Sequence, residues 1–401
     1  MNLIQKAYCR FYQGCMRLAL PFLPYREPTL IDGIAAVPKV LEKAGIQKVL
    51  LVTGPHIYAS GLTAPLEAAL AGAGIGCAVY NKTVSNPTDA DVEAARALYL
   101  ASKSQALIAF GGGSPMDCAK VVGARIARPD VPVAKMGGLL HIRKPLVPLI
   151  AVPTTAGTGS ETTVAAVITD AKTHHKYAIN DFVLIPPYAV LAPEVTFGLP
   201  PLLTATTGMD ALTHAVEAYI GRSTTPETRA AATEAVRLIF ENLPFACADG
   251  QNRLARANML RASYLAGTAF TKSYVGYVHA IAHSLGGKYG VAHGMANAIL
   301  LPTVLEAYGS AVWGSLAALA RAAGLCEEDV SDEAAAAAFI AAVRRLNADW
   351  NIPAAFDVLK PADIPALART AAHEANPLYP VPVLWDASQL EAVYRRVLKD
   401  A

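Results

Sequence analysis

A change of pattern near Pro200 constrains this chain more than any other feature. Before it, short apolar runs alternate with helical stretches. KVLLVTG (48–54), GCAVYNK (76–82), QALIAFGGG (105–113) and PLIAVPTT (148–155) read as buried strands, separated by helical patterns near 60–72, 88–102 and 114–126. Short apolar strands joined by helices build βαβ units and a parallel sheet. After Pro200, apolar residues recur at helical spacing to the C-terminus, as in AVRLIFENL, ARANMLRASYLAGTAF and EAAAAAFIAAVRRL, with Gly, Pro and Asn at the breaks. The expected fold class is therefore α/β plus all-α, with a Rossmann-like domain over residues 1–199 followed by an all-helical domain over 200–401.

Composition narrows the classes of function. A chain of 401 residues has room for two or three domains, and 53% hydrophobic with 16% charged residues is globular composition. The formal net charge is +2 and no basic stripe with interleaved aromatics occurs, which argues against a nucleic-acid partner. Cys9, Cys15, Cys77, Cys118, Cys247 and Cys326 are scattered without a CxxC, which suits reduced thiols and a cytoplasmic location. No apolar run reaches the roughly eighteen residues of a membrane span.

Residues 1–26 form a separate helical extension. Leu3, Ile4, Ala7, Tyr8, Phe11, Tyr12, Cys15 and Met16 make an apolar stripe interrupted by Lys6, Arg10 and Arg17, and the prolines of PFLPYREP end it. The basic interruptions and the lack of an A-x-A site argue against a signal peptide. The expectation is an amphipathic helix packed on the body or on a second subunit, ahead of contact with a membrane surface.

Two glycine-rich segments fall where strands of the first half end. In FGGGSPMDCAK (110–120), Gly111, Gly112 and Gly113 permit close backbone approach, and the helix that follows presents free N–H groups to a phosphate. The segment is not the G-x-G-x-x-G fingerprint, and a tight strand-to-helix turn uses the same residues. In PTTAGTGSETT (153–163), hydroxyls from Thr154, Thr155, Thr158 and Ser160 suit phosphate, ribose or amide, as would a solvated loop. Two such loops at strand C-termini favour a nucleotide site and make the first domain a candidate dinucleotide-binding domain.

The helical half carries the candidate metal ligands. Asp210 and His214 in GMDALTHAVEAY are four apart, so both leave one helix face about one turn apart. In VHAIAHSLGGKYGVAHGMANAILLP, His279 and His283 repeat that spacing, and His293 follows beside Gly294, where a helix can start. A carboxylate with imidazoles suits Fe²⁺ or Zn²⁺, whereas a structural zinc site favours thiolates. The competing reading is a set of satisfied core histidines.

GGGSPMDCAK, PTTAGTGSE, GMDALTHAVEAY and HAIAHSLGGKYGVAHGMANAILLP resemble, in order and spacing, the signature segments of the iron-containing (group III) alcohol dehydrogenases. The resemblance runs from about residue 28 to 310 and leaves the N-terminal extension unexplained. It implies Asp210, His214, His279 and His293 as metal ligands, making the second domain metal-binding and catalytic, with Fe²⁺ in the site and Zn²⁺ able to occupy it. It implies His283 near substrate and nicotinamide without binding metal, and Asp117 as the acid at the helix start, both counted here as catalytic. Gly112, Gly113 and Ser114 match the pyrophosphate loop, Thr154, Thr155 and Thr158 the second cofactor loop, Asn86 the NPT turn, and Lys176 a lysine near the ribose.

The activity implied is hydride transfer between a small alcohol and NAD or NADP, with the metal as Lewis acid on the substrate oxygen. One departure concerns the cofactor. Where many NAD-using members carry Asp after the first strand, this chain has Gly54, so NADP is expected to be accepted. A carbon–oxygen lyase of the dehydroquinate synthase kind needs a basic phosphate-binding set, and the helical half has few Lys or Arg around its histidines. A non-catalytic nucleotide-binding protein is disfavoured by the intact ligand set. The family's habit and the apolar N-terminal helix favour a homodimer or larger homo-oligomer.

Overall fold

Alternation along the buried strands sorts their side chains into two cores. Val49, Leu51, Ile108, Phe110, Ile150 and Val152 belong to one, and Leu50, Val52, Leu107, Ala109, Leu149 and Ala151 to the other. A period of two is what a sheet covered on both faces requires. The computed structural model describes residues 1–399 and divides into two units, Pro24–Gly198 and a helical unit made of Met1–Leu23 with the chain from Leu199 onward.

The chain begins with α1 (Leu3–Ala19), capped by Asn2, whose side chain accepts from the Gln5 amide while Gln5 returns a bond to the Asn2 amide. The α/β unit then runs β1 (Thr29–Ile31), α2 (Val37–Lys43), β2 (Lys48–Val52), α3 (Pro55–Ala59), α4 (Ala64–Gly72), β3 (Gly76–Tyr80), α5 (Asp89–Ser102), β4 (Ala106–Gly111) and α6 (Gly113–Ala127). It closes with β5 (Gly138–Leu139), β6 (Leu149–Pro153), β7 (Ala165–Thr169), β8 (Lys176–Asn180) and β9 (Tyr188–Val190). Six strands form a wholly parallel sheet in the order β1-β9-β6-β4-β2-β3. Val92 of α5 and Met116 of α6 pack in one core, Leu41 of α2 and Leu66 of α4 in the other.

The expected strands at 48–54, 76–82, 105–113 and 148–155 are present, each trimmed at its polar or glycine-rich end. β1 and β9 escape a sequence reading because three residues flanked by proline carry no measurable period. A second sheet, β5-β8-β7, is also new, with β7 and β8 antiparallel.

The helical unit continues with α7 (Pro201–Ile220), α8 (Pro226–Ala248), α9 (Arg253–Ser273), α10 (Tyr277–Tyr289), α11 (His293–Tyr308), α12 (Trp313–Ala322), α13 (Asp332–Asp349), α14 (Ile364–Ala375) and α15 (Ala387–Arg396). From Thr204 to Ile220 every residue of α7 except Thr207 is buried, so it is the axis of this unit.

One grouping is corrected. Sequence order places residues 1–26 with the first domain, whereas α1 belongs to the helical unit. Arg10 donates to the Val381 and Pro382 carbonyls, and Gln13 donates to the Pro377 and Tyr379 carbonyls, all far along the chain. Sequence adjacency to the first strand carried no information about these partners.

Candidate metal centre and cofactor loops

In the helical unit, α7 carries Asp210 and His214 one turn apart, α10 carries His279 near its start, and α11 opens at His293. Each of the four offers one ligand atom, and these atoms all lie within 4.8 Å of one another. Asp210, His214 and His279 are buried, while His293 is half-exposed. The His214 ring stacks on Phe270 with centroids 4.0 Å apart and on His279 at 4.5 Å, which fixes its plane. Gly294 has no room for a side chain, because a Cβ there would come within 2.4 Å of the Thr206 carbonyl. Bringing α11 that close to α7 sets His293 beside Asp210, with Nε2 3.4 Å from Oδ1.

Electrostatics favours the neutral form of two of these imidazoles. Burial and the surrounding histidines hold His279 well below its ordinary range, and burial lowers His293 to about 4. Three imidazole nitrogens and one carboxylate oxygen converging in a mostly buried site fit a divalent first-row metal ion. The three ligand rings also face one another around Asp210, a convergence that separate core histidines do not require.

Three further residues complete the site, and sequence reasoning passed over all of them. Glu217, on α7, takes His279 Nδ1 at 2.6 Å and the backbone amides of Gly276 and Val278 at 2.8 Å each. Burial pushes its carboxyl up to about 7, against the pull of those N–H donors. Asn297 Nδ2 donates to Asp210 Oδ1 at 2.7 Å. Glu374, on α14, bonds His283 Nδ1 at 2.7 Å and receives the Tyr379 hydroxyl at 2.8 Å. Burial alone would lower His283, but the Glu374 carboxylate outweighs it and the imidazole is raised. Glu217 was readable, since Asp210, His214 and Glu217 lie on one helix face. Glu374 was not, being 91 residues from its partner.

His283 itself stacks on His293 with centroids 5.2 Å apart and meets His279 edge-on at 5.9 Å. It therefore borders the cluster while its Nδ1 is committed to Glu374.

In the α/β unit the two glycine-rich loops lie against each other. A Cβ on Gly112 would stand 3.2 Å from Thr155 Oγ1, and one on Gly113 would stand 3.3 Å from Thr158 Cγ2. Gly111 is left-handed at φ 153°, and a Cβ there would strike Pro115 at 2.6 Å, so the turn from β4 into α6 demands glycine. Thr154 is buried and its amide donates to the Gly111 carbonyl. Asn86, held at φ 59°, accepts at Oδ1 from Lys176 Nζ at 2.8 Å, and its amide donates to Ser114 Oγ at 3.3 Å. Three sequence-selected residues from distant segments are thus one cluster beside the start of α6. Gly54 caps α3 with ordinary backbone angles.

Asp117 lies in the opening turns of α6, at the helix start where it is expected. Its oxygens accept from Ser160 Oγ and the Val167 amide, both at 3.0 Å, which ties α6 to the second loop and to β7. Behind it Lys120 is fully buried, donating to the Thr163 and Ala165 carbonyls and to Thr163 Oγ1, and burial lowers it to about 8.

A parallel α/β unit with such loops, in one chain with a helical unit bearing an Asp/His₃ cluster, defines the class of two-domain metal-dependent dehydrogenases. The family model described as iron-containing alcohol dehydrogenase matches residues 31–193, and that described as Fe-containing alcohol dehydrogenase family, C-terminal, matches 204–398. The chain is 38% identical over 369 residues to a 1,3-propanediol dehydrogenase of Klebsiella pneumoniae, covering 91% of this chain and 95% of that protein. It is 37% identical over 355 residues to an NAD-dependent methanol dehydrogenase of Bacillus methanolicus, covering 87% and 92%. A crystal structure of 1,3-propanediol oxidoreductase superposes with a TM-score of 0.89 at 36% identity, over 93% of this chain and 98% of that one. The chain belongs to the iron-containing alcohol dehydrogenases. It is an alcohol oxidoreductase of alcohol–aldehyde chemistry, with a divalent metal ion and a nicotinamide dinucleotide as cofactors.

Proposed function

We propose that the protein interconverts a small alcohol and its aldehyde or ketone, using Fe²⁺ held by Asp210, His214, His279 and His293 and either NAD(H) or NADP(H). The convergence of those four ligand atoms within 4.8 Å is the observation that carries the reading. When bound, the ion supplies Lewis acidity toward the substrate oxygen and the nicotinamide takes or gives the hydride. Zn²⁺ is compatible with the same nitrogen-rich set.

The chain's own residues divide the remaining work. Gly112, Gly113 and Ser114 present the start of α6 to the pyrophosphate, with no side chain in the way at the two glycines. Thr154, Thr155 and Thr158 line the adjoining loop for the cofactor. Lys176, steered by Asn86, supplies a positive charge for the ribose end. Asp117 ties α6 to the second loop through Ser160 Oγ and to β7 through the Val167 amide, and keeps acceptor capacity on both oxygens for a part in the reaction. His283, held at Nδ1 by Glu374, takes the hydroxyl proton at Nε2 and shares its Nδ1 proton with the Glu374 carboxylate, which also accepts from the Tyr379 hydroxyl.

The six thiols are free, which supports a cytoplasmic setting. β1 lies at one edge of the six-stranded sheet with Leu30 exposed, and an open pairing edge supports assembly as a homodimer or larger homo-oligomer. The test of the activity is absorbance at the nicotinamide band with Fe²⁺-loaded protein over a panel of small aldehydes, ketones and diols. Net consumption of reduced cofactor with at least one of them is expected. A metal-loaded protein that consumes none overturns the reading.

A further inference from the structure

Helix α1 is amphipathic and is mounted with its apolar side outward. Leu3, Ile4, Tyr8, Phe11 and Leu18 recur at helical spacing along one side and all are exposed, Phe11 at 72% and Leu18 at 77%. Phe22, one turn further, is 87% exposed. The opposite side, with Cys9 and Gln13, is the buried one. A surface helix of a globular protein ordinarily does the reverse, and a contiguous exposed apolar stripe marks a surface that meets something.

The mounting is fixed. Arg10 and Gln13 hold the inner side through four hydrogen bonds to the carbonyls of Pro377, Tyr379, Val381 and Pro382. Rolling the apolar stripe inward would break all of them and strand a guanidinium over apolar packing.

Charge indicates what the stripe meets. Between Met1 and Arg26 there is no Asp or Glu, and every charged side chain, Lys6, Arg10, Arg17 and Arg26, is basic. Lys6 and Arg17 are exposed and lie three turns apart on one flank of the stripe. If two copies paired through this face about Phe11, Lys6 of one would approach Arg17 of the other, a like-charge contact at each end. An anionic lipid surface makes the complementary arrangement, taking apolar side chains at the headgroup boundary and the basic flank at its phosphates. No described helix is long and apolar enough to cross a membrane, so the contact is with the surface. We propose that α1 is an interfacial anchor that docks this protein on an anionic phospholipid membrane, entering with Leu3, Ile4, Phe11, Leu18 and Phe22.

The test is vesicle flotation of the full chain with phosphatidylcholine alone and with phosphatidylcholine plus phosphatidylglycerol. The parent floats with the anionic vesicles, and its affinity for the neutral ones is lower by roughly thirtyfold, as two basic side chains at an anionic surface provide. A double variant, Phe11→Ser with Leu18→Ser, loses flotation while keeping its melting temperature, since both side chains are already in water. A second double variant, Lys6→Gln with Arg17→Gln, loses the preference for anionic vesicles. Absence of flotation by a folded parent, or equal binding to both vesicle types, overturns the proposal. So does light scattering in which Phe11→Ser with Leu18→Ser splits an oligomer, for the stripe is then covered by a second copy.

Discussion

Glu217 and His279 form a buried pair in which the imidazole Nδ1 donates to the carboxylate at 2.6 Å, leaving Nε2 on the side of the other three ligand atoms. The contact fixes both the tautomer and the ring orientation, and the Gly276 and Val278 amides hold the carboxylate in turn. A carboxylate behind a ligating histidine raises its basicity as well as aiming it.

Glu217→Gln is therefore expected to weaken the metal by about tenfold to a hundredfold while the chain stays folded. An amide of the same size sets an NH₂ group against one of the three N–H donors and cannot satisfy them all. Chelator competition monitored by elemental analysis reads the affinity. His214→Ala and His279→Ala should abolish tight binding outright. An unchanged affinity in folded Glu217→Gln would remove the carboxylate from the site's design.

His283 and Glu374 yield a pH prediction. The Glu374 carboxylate raises the imidazole, so Glu374→Gln should lower it. If neutral His283 accepts the hydroxyl proton, alcohol oxidation rises with pH through that titration, and its limb should move to lower pH in the variant. His283→Ala should keep the metal and lose turnover by about a hundredfold or more. A pH profile of kcat that Glu374→Gln leaves in place would return His283 to packing.

The legible part of this molecule is what local period and spacing encode. Leu50, Leu107 and Leu149 sit in short runs apolar at nearly every position, which between helical segments fit strands of a parallel sheet covered on both faces. Asp210 and His214 share a face by spacing alone. What stayed hidden depends on contacts between distant segments. Glu374 reaches His283 from another helix, and Arg10 finds carbonyls some 370 residues away. The apolar stripe of α1 was visible, but its outward direction was not, because the anchors that decide it are polar residues on the other side. The partners of Asp117, Ser160 and the Val167 amide, lie 43 and 50 residues further along the chain and are equally illegible in its own segment.

Gly54 should decide the cofactor. Its backbone angles are open to any residue, and a Cβ would lie 3.3 Å from the Thr83 carbonyl, a contact that a small shift relieves. Aspartate also caps helices well, so Gly54→Asp should fold. A carboxylate there would accept from the ribose hydroxyls and repel a 2′-phosphate. The parent is expected to use NADP(H) at least comparably to NAD(H), and Gly54→Asp to shift kcat/KM toward NAD(H) by on the order of tenfold, about 1.4 kcal/mol. A parent strongly selective for NAD(H) would sink the argument.

Glu161 offers a stability test that no step of the reaction touches. It is 1% exposed, and burial pushes its carboxyl up to about 7, with a backbone hydrogen bond and then Lys120 pulling the other way. A carboxyl raised in the folded state keeps its proton when the unfolded chain has lost it. Its contribution is therefore fully present below the ordinary carboxylate range near 4.5 and is lost as pH rises toward about 7. The loss across that window is about 3 kcal/mol at most by linkage, and less to the extent that Lys120 relaxes toward the ionised carboxylate. Glu161→Gln, which keeps the shape and never ionises, should flatten this slope and leave the chain more stable than the parent above the window. Urea unfolding of both proteins on either side of the window measures it, and parallel pH dependences in parent and variant would show that Glu161 is ionised at little cost throughout.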